Sequence, residues 1–251
     1  MTRTFRSSVA ALAFGSVLGV LLGACAPHSG EGGETLAVFA AASTRVLNDD
    51  FRALQPSELT FVNAGSSDLV QQLIDGAPAD VLITADAQTM QRARDAGVVE
   101  QPRVVAQNTL VMVTPADNPS GLRSLADVAA PGVVVVACDP QVPCGAAAEA
   151  LLATNDVALT PASLEHSVTD VLGKVVAGEA DAGFVYATDA ASARDAVQVI
   201  DIPGAAEHPN QILAAVAAAA PHRAAAARFV ALLETDEAAA VWRRHGFHPV
   251  Q

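Results

Sequence analysis

Basic side chains are scarce in this sequence: 14 lysines and arginines stand against 27 acidic residues, a formal charge of −13. No stripe of cationic residues is left to face phosphate, which argues against nucleic acid as a partner. Aromatic residues are also few, at 4%. Alanine and valine abound instead, a composition suited to closely packed α/β layers. The apolar run Val9–Gly23 is too short to span a bilayer comfortably. There is no self-similarity at a solenoid period and no Gly-x-Ser-x-Gly elbow of the kind that carries a hydrolase serine. Cysteine occurs only at Cys25, Cys138 and Cys144.

What is present begins with an export signal over residues 1–24. Arg3 and Arg6 give it a basic start, and Val9–Gly23 an apolar core. Leu22-Gly23-Ala24-Cys25 resembles the lipobox of bacterial lipoproteins, in which cleavage leaves the cysteine as a lipidated N-terminus. Residues 25–34 then read as a flexible tether: Ala26–Glu34 holds three glycines, a serine and a proline without apolar periodicity. The expectation is a soluble domain held by acyl chains at the extracytoplasmic face of the cell membrane. Loss of residues 1–24 removes two arginines and no acid, so the charge moves from −13 to −15.

From Leu36 onward strand and helix signals alternate, which implies parallel βαβ units. Leu36–Phe39 reads as a strand that ends where the chain turns on Ala40–Ala42, and Val46, Leu47, Phe51 and Leu54 as the apolar face of a following helix whose start the Ser43-Thr44 pair could cap. Thr60–Asn63 is a second strand, followed by a helix with Leu69, Val70, Leu73 and Ile74 on one face and Gly76 as its stop. Ala79–Thr84, Leu110–Thr114, Val133–Ala137, Ala182–Tyr186, Val197–Ile202 and Gln211–Ala217 are further strands. Helices are expected over Asp86–Ala96, after Gly145 through Leu152, around Val171–Val176, over Pro221–Leu233 and over Asp236–Arg244.

Four loops share one grammar: a strand, a small or proline-rich turn, then a helix N-terminus. They centre on Ser43, Ser66, Cys144 and Val168. Each can present unpaired backbone N–H groups at the positive end of a helix dipole, a ready site for an anion. Three of these loops hold no lysine or arginine, so charge would be held by dipoles alone. That suits a ligand that must later be released.

Four motifs resemble the molybdate-binding proteins of bacterial ABC importers. They are Val38-Phe39-Ala40-Ala41-Ala42-Ser43, Gly76-Ala77-Pro78-Ala79-Asp80-Val81, Val142-Pro143-Cys144-Gly145, and Gly183-Phe184-Val185-Tyr186 with Asp189-Ala190; the closing Gly246-Phe247 fits too. The resemblance implies a type II periplasmic-binding-protein fold, two α/β lobes each with a mostly parallel sheet flanked by helices, joined by two crossing segments. Lobe I would hold residues 35–112 and 203–251, and lobe II residues 113–202. It implies capture of molybdate or tungstate in the cleft and delivery to the permease and ATPase subunits of an ABC importer, by a monomer with no cofactor and no direct metal-cation ligands. Carried over residue by residue, Ser43 and Ser66 would be hydroxyl and N–H donors, Cys144 and Val168 backbone N–H donors, and Tyr186 a phenol donor. Sulfate, phosphate or a small organic acid is the alternative ligand.

Relatives often carry another small residue at the position of Cys144. With Cys25 acylated, Cys138 and Cys144 are the two cysteines left in an exported protein and read as a disulfide pinning their loop; a metal site would lack further ligands nearby. An enzyme is the rival class, since hydroxyls, six histidines and many acids could in principle assemble a Ser-His-Asp site. No histidine lies near Ser43 or Ser66 in sequence. The three acids beside the loops, Asp68, Asp139 and Asp170, are expected to point away from the ligand.

Overall fold

In the computed structural model, which describes residues 34–250, the opening apolar stretch forms β1 (Thr35–Ala41), buried from Val38 onward. The expected signal segment, Cys25 and the tether up to residue 33 lie outside the described residues. β1 runs into a 3-10 turn (Ala42–Leu47) and then α1 (Asn48–Ala53). Here the expected capping pair behaves differently. The cap position is Ala41, with no side-chain bond. Thr44 Oγ1 donates back to the Ala41 carbonyl at 2.8 Å, and Ser43 Oγ has no partner among the described residues. The tight i→i+3 geometry sets the threonine hydroxyl over the carbonyl three residues back, so it serves the turn instead of a free N–H.

β2 (Glu58–Ala64), α2 (Ser66–Ile74), β3 (Val81–Thr84), α3 (Ala87–Asp95) and β4 (Arg103–Asn108) follow. α2 stops where Gly76 takes a φ of +89°, which an L side chain rarely adopts. The chain next builds β5 (Leu110–Pro115), a 3-10 turn (Leu125–Ala129), β6 (Val135–Cys138), α4 (Pro143–Thr154), β7 (Ser163–Glu165), α5 (Val168–Val176), β8 (Ala182–Tyr186), α6 (Ala187–Ala193) and β9 (Val197–Ile200). It returns through β10 (Asn210–Val216), α7 (Arg223–Leu232), α8 (Asp236–Arg244) and β11 (His248–Pro249).

These strands form two sheets, ordered β11-β4-β10-β3-β1-β2 and β7-β6-β8-β5-β9. Both are mixed, where strand–helix alternation suggested mostly parallel ones. β1 pairs in parallel with β2 and β3, and β6 with β7 and β8, while every pairing of β4, β5 and β10 is antiparallel. The physical reason is that β5 and β10, the first strands after each passage, run against the βαβ units, as does β11, while β4 and β9 run with the units but pair only with these reversed strands.

The chain passes between the sheets at Thr109 and again over residues 201–209. Leu110 and Val111 pair with β8, and Met112 with β8 and β9, so the second sheet begins three residues before the division read from sequence. The first passage is held by two polar bonds: buried Asn108 Nδ2 donates to Thr188 Oγ1 at 2.8 Å, and the half-buried Ala187 N–H to the Thr109 carbonyl at 2.8 Å.

An aromatic cluster fastens the C-terminal helices beneath the first sheet. Trp242 meets Phe51 and Phe247 edge-on at centroid distances of 5.1 and 5.2 Å, and its Nε1–H donates to the Leu233 carbonyl at 3.1 Å. Asp80, only 1% exposed, accepts the Ala37 N–H at 2.9 Å and the His222 N–H at 2.8 Å. It thereby ties β1 to the start of α7.

Candidate functional site

Three segments from each sheet converge at the C-terminal ends of their strands, where open α/β sheets bind ligands. From the first sheet come the ends of β1, β2 and β3, and from the second the ends of β6, β7 and β8. They close around a cavity of about 20 Å³ in which every lining residue except His166 is buried. That is far below the roughly 300 Å³ of an organic-ligand pocket. Ser43, Ser66, Cys144, Val168 and Tyr186, drawn from five separate stretches of sequence, all line it.

Each arrives with a donor. Ser66 opens α2, Cys144 is the second residue of α4 behind Pro143, and Val168 opens α5. The first amides of a helix have no intrahelical acceptor, so these N–H groups and the dipoles behind them face the cavity region. Ser66 Oγ accepts the Ala85 N–H at 3.1 Å, which leaves its proton to donate. Ser43 Oγ and Tyr186 Oη are buried and without a hydrogen-bond partner among the described residues. A buried unpaired hydroxyl costs about 1–3 kcal/mol, so two aimed at one cavity mark a place built for an acceptor.

The electrostatics fit the same chemistry. No lysine, arginine, aspartate or glutamate lines the cavity. Asp139 Oδ1 accepts the Gln141 N–H at 2.8 Å and Asp170 Oδ2 the Ser167 hydroxyl at 2.7 Å, while Asp68 sits in the first turn of α2. None of the three lines the cavity. Burial, helped by the negative charges of Asp86 and Asp189, pushes the Tyr186 phenol well above its ordinary range and keeps it a donor. Burial also raises the Asp189 carboxyl to about 7, against the hydrogen bond it accepts from the Tyr186 N–H.

Cys138 and Cys144 are joined by a disulfide, Cα–Cα 5.7 Å, which closes the β6–α4 loop over the site. Ala85 is not among the residues to which the sequence points, and Asp189 enters there only within the motif that carries the resemblance. A small residue directly after a strand, as in Thr84-Ala85-Asp86, was the available signal for the first. Two larger grooves, about 360 and 350 Å³, open beside the site between α3 and α4. None of the buried atoms lacking a partner belongs to a residue lining them, whereas two belong to residues lining the small cavity.

A family model described as bacterial extracellular solute-binding protein matches residues 36–248. The chain belongs to that family. Among relatives of this solute-binding protein, molybdate-binding protein ModA of Mycobacterium tuberculosis is 40% identical over 223 residues, covering 86% of this chain and 85% of the relative. The periplasmic molybdate-binding protein of Azotobacter vinelandii superposes with a TM-score of 0.69 at 20% identity, covering 86% of this chain and 100% of that one. The sulfate-binding protein SubI from Mycobacterium tuberculosis gives 0.73 at 20% identity over 87% and 88%. The last two share the fold, a two-lobed α/β architecture of the type II periplasmic binding proteins.

Proposed function

We propose that this solute-binding protein captures molybdate, or its near twin tungstate, in the cavity between its two sheets. The observation that carries the reading is the pair of buried, unpartnered hydroxyls, Ser43 Oγ and Tyr186 Oη, lining a cavity free of charged side chains. The 40% identical relative that is named a molybdate-binding protein supports the choice of anion. Ser43 and Ser66 donate through hydroxyl and N–H, Cys144 and Val168 through N–H, and Tyr186 through its phenol. Charge-assisted hydrogen bonds contribute about 1.5–3 kcal/mol each. Five to seven of them reach roughly micromolar to nanomolar affinity once association costs are subtracted.

The lack of a carboxylate in the lining separates the candidates. Phosphate keeps at least one proton near neutral pH and wants an acceptor; a fully deprotonated dianion wants donors only. The matched family is described as solute-binding and the 40% identical relative is named a molybdate-binding protein, which supports the reading of a binding protein without a catalytic step. Two lobes, one on each sheet, hinge at Thr109 and residues 201–209. Lipidation at Cys25 holds the monomer at the extracytoplasmic face, where it hands the anion to the permease and ATPase of an ABC importer. Titration calorimetry of ligand-stripped protein with molybdate, tungstate, sulfate and phosphate tests this. Submicromolar molybdate and tungstate with sulfate at least about a hundredfold weaker is expected; tight phosphate or sulfate binding with no molybdate response overturns it.

A further inference from the structure

Two contacts beside the cavity join loops of the first sheet to loops of the second, and neither involves a proposed anion donor side chain. The Ser67 hydroxyl donates to the Gln141 carbonyl at 2.6 Å across 74 residues of sequence. Gly65 faces the backbone of His166 so closely that a Cβ there would sit 2.1 Å from the His166 oxygen. Gly65 has a φ of −57° and a ψ of 135°, open to any residue. Its glycine is therefore explained by the close approach and not by its dihedrals.

The surroundings brace both contacts. Ser67 is 7% exposed, and its own carbonyl accepts Arg92 Nη2 at 2.9 Å. Gln141 lies inside the six-residue span of the Cys138–Cys144 disulfide and is held by Asp139 at 2.8 Å. The acceptor is thus presented by a covalently closed loop. Ser67 and Gly65 sit directly beside Ser66, so whatever they fix is transmitted to the donor set.

We infer that Ser67 and Gly65 are positioning residues that form a clamp between the two halves: Ser67–Gln141 is the latch, and Gly65 against His166 is the stop that sets how far the halves close. The inference rests on the anion reading above. The donors Ser43 and Ser66 belong to one half and Cys144, Val168 and Tyr186 to the other. An anion meets all of them only when the halves reach this separation. Apparent affinity scales with the population of the closed state, so the clamp controls affinity without touching the ligand. As a contact of the closed arrangement the latch resists opening, so its loss speeds release and leaves capture unchanged.

The test is stopped-flow and equilibrium binding of molybdate to the full chain, with small-angle scattering before and after ligand. Ser67→Ala is expected to raise koff roughly 2- to 10-fold with kon and ligand-free melting unchanged, and Ser67→Thr to restore most of the slow release. Gly65→Ala is expected to weaken binding about 100-fold or more and to abolish the molybdate-induced compaction expected of the unaltered protein. A Ser67→Ala release rate equal to that of the unaltered protein overturns the clamp, whatever Gly65→Ala does. If the unaltered protein binds none of molybdate, tungstate, sulfate and phosphate, the anion reading falls and the clamp with it; if it binds and the variants match it, the clamp alone falls.

Discussion

Asp189 couples the stability of this protein to pH with an unusual sign. Its carboxylate is 6% exposed in the first turn of α6 and accepts the Tyr186 N–H at 3.3 Å. Burial raises it from 3.8 to about 7. Between those values the native state keeps a proton that the unfolded chain has released, so stability falls as pH rises through the window. Below 3.8 both states are protonated and the contribution is complete; above about 7 it is lost. At about 1.36 kcal/mol per pH unit, the span amounts to about 4 kcal/mol. Asp189→Asn keeps the volume and removes the ionisation. Urea unfolding at a series of pH values, extrapolated to water, is the assay. The variant should gain on the unaltered protein steadily from pH 4 to 7 and then hold a constant advantage. Carboxylates lowered by partners, such as Asp50 beside His245, slope the other way but cancel in the difference. Parallel curves for the two proteins would refute the reasoning.

Other outcomes follow from particular contacts. Ser43→Ala and Tyr186→Phe should each cost about 1–3 kcal/mol of molybdate binding, the loss of one charge-assisted hydrogen bond; calorimetry showing less than a twofold change in Kd for both removes them from the donor set. Replacing Cys138 and Cys144 together by alanine opens a loop of six-residue separation and should lower stability by about 2 kcal/mol on the loop-entropy model. The N–H of residue 144 survives that change, so affinity should drop only modestly; complete loss would mean the loop's geometry depends wholly on the bridge. Trp242→Ala empties the centre of the aromatic cluster and should cost about 3–5 kcal/mol of unfolding free energy, read by denaturant titration with molybdate affinity nearly unchanged.

Most helices and the buried strands were legible in the sequence because their signals are local. Apolar spacing marks α2, α5, α7 and α8. Gly76, Gly97, Gly178 and Gly246 mark helix ends, each with a φ between +70° and +89°. The continuous apolar run into β6 announced a strand buried on both faces. β4, β7, α6 and β11 were not read, β7 being only three residues long. Arg103–Asn108 is a strand because β10 and β11 pair with it, and nothing in its alternation says so. Ala187–Ala193 has no apolar face to detect, and His248–Pro249 is too short to carry a pattern.

The site divides in the same way. Small loops opening into helices, and with them the amide donors, follow from turn and helix chemistry at Ser66, Cys144 and Val168. Only the capping role of the Ser43-Thr44 pair was misread, because capping depends on the turn the chain takes after Ala41. That Ser43 Oγ and Tyr186 Oη end up buried and unpaired at one cavity was decided by tertiary structure alone. So was the approach of Gly65 to His166, and so was the burial that raises Asp189. Periodicity and turn chemistry act over a few residues and can be read from them. Donor convergence, close backbone approach and desolvation arise between segments distant in the chain, and only the packing of two mixed sheets brings those segments together.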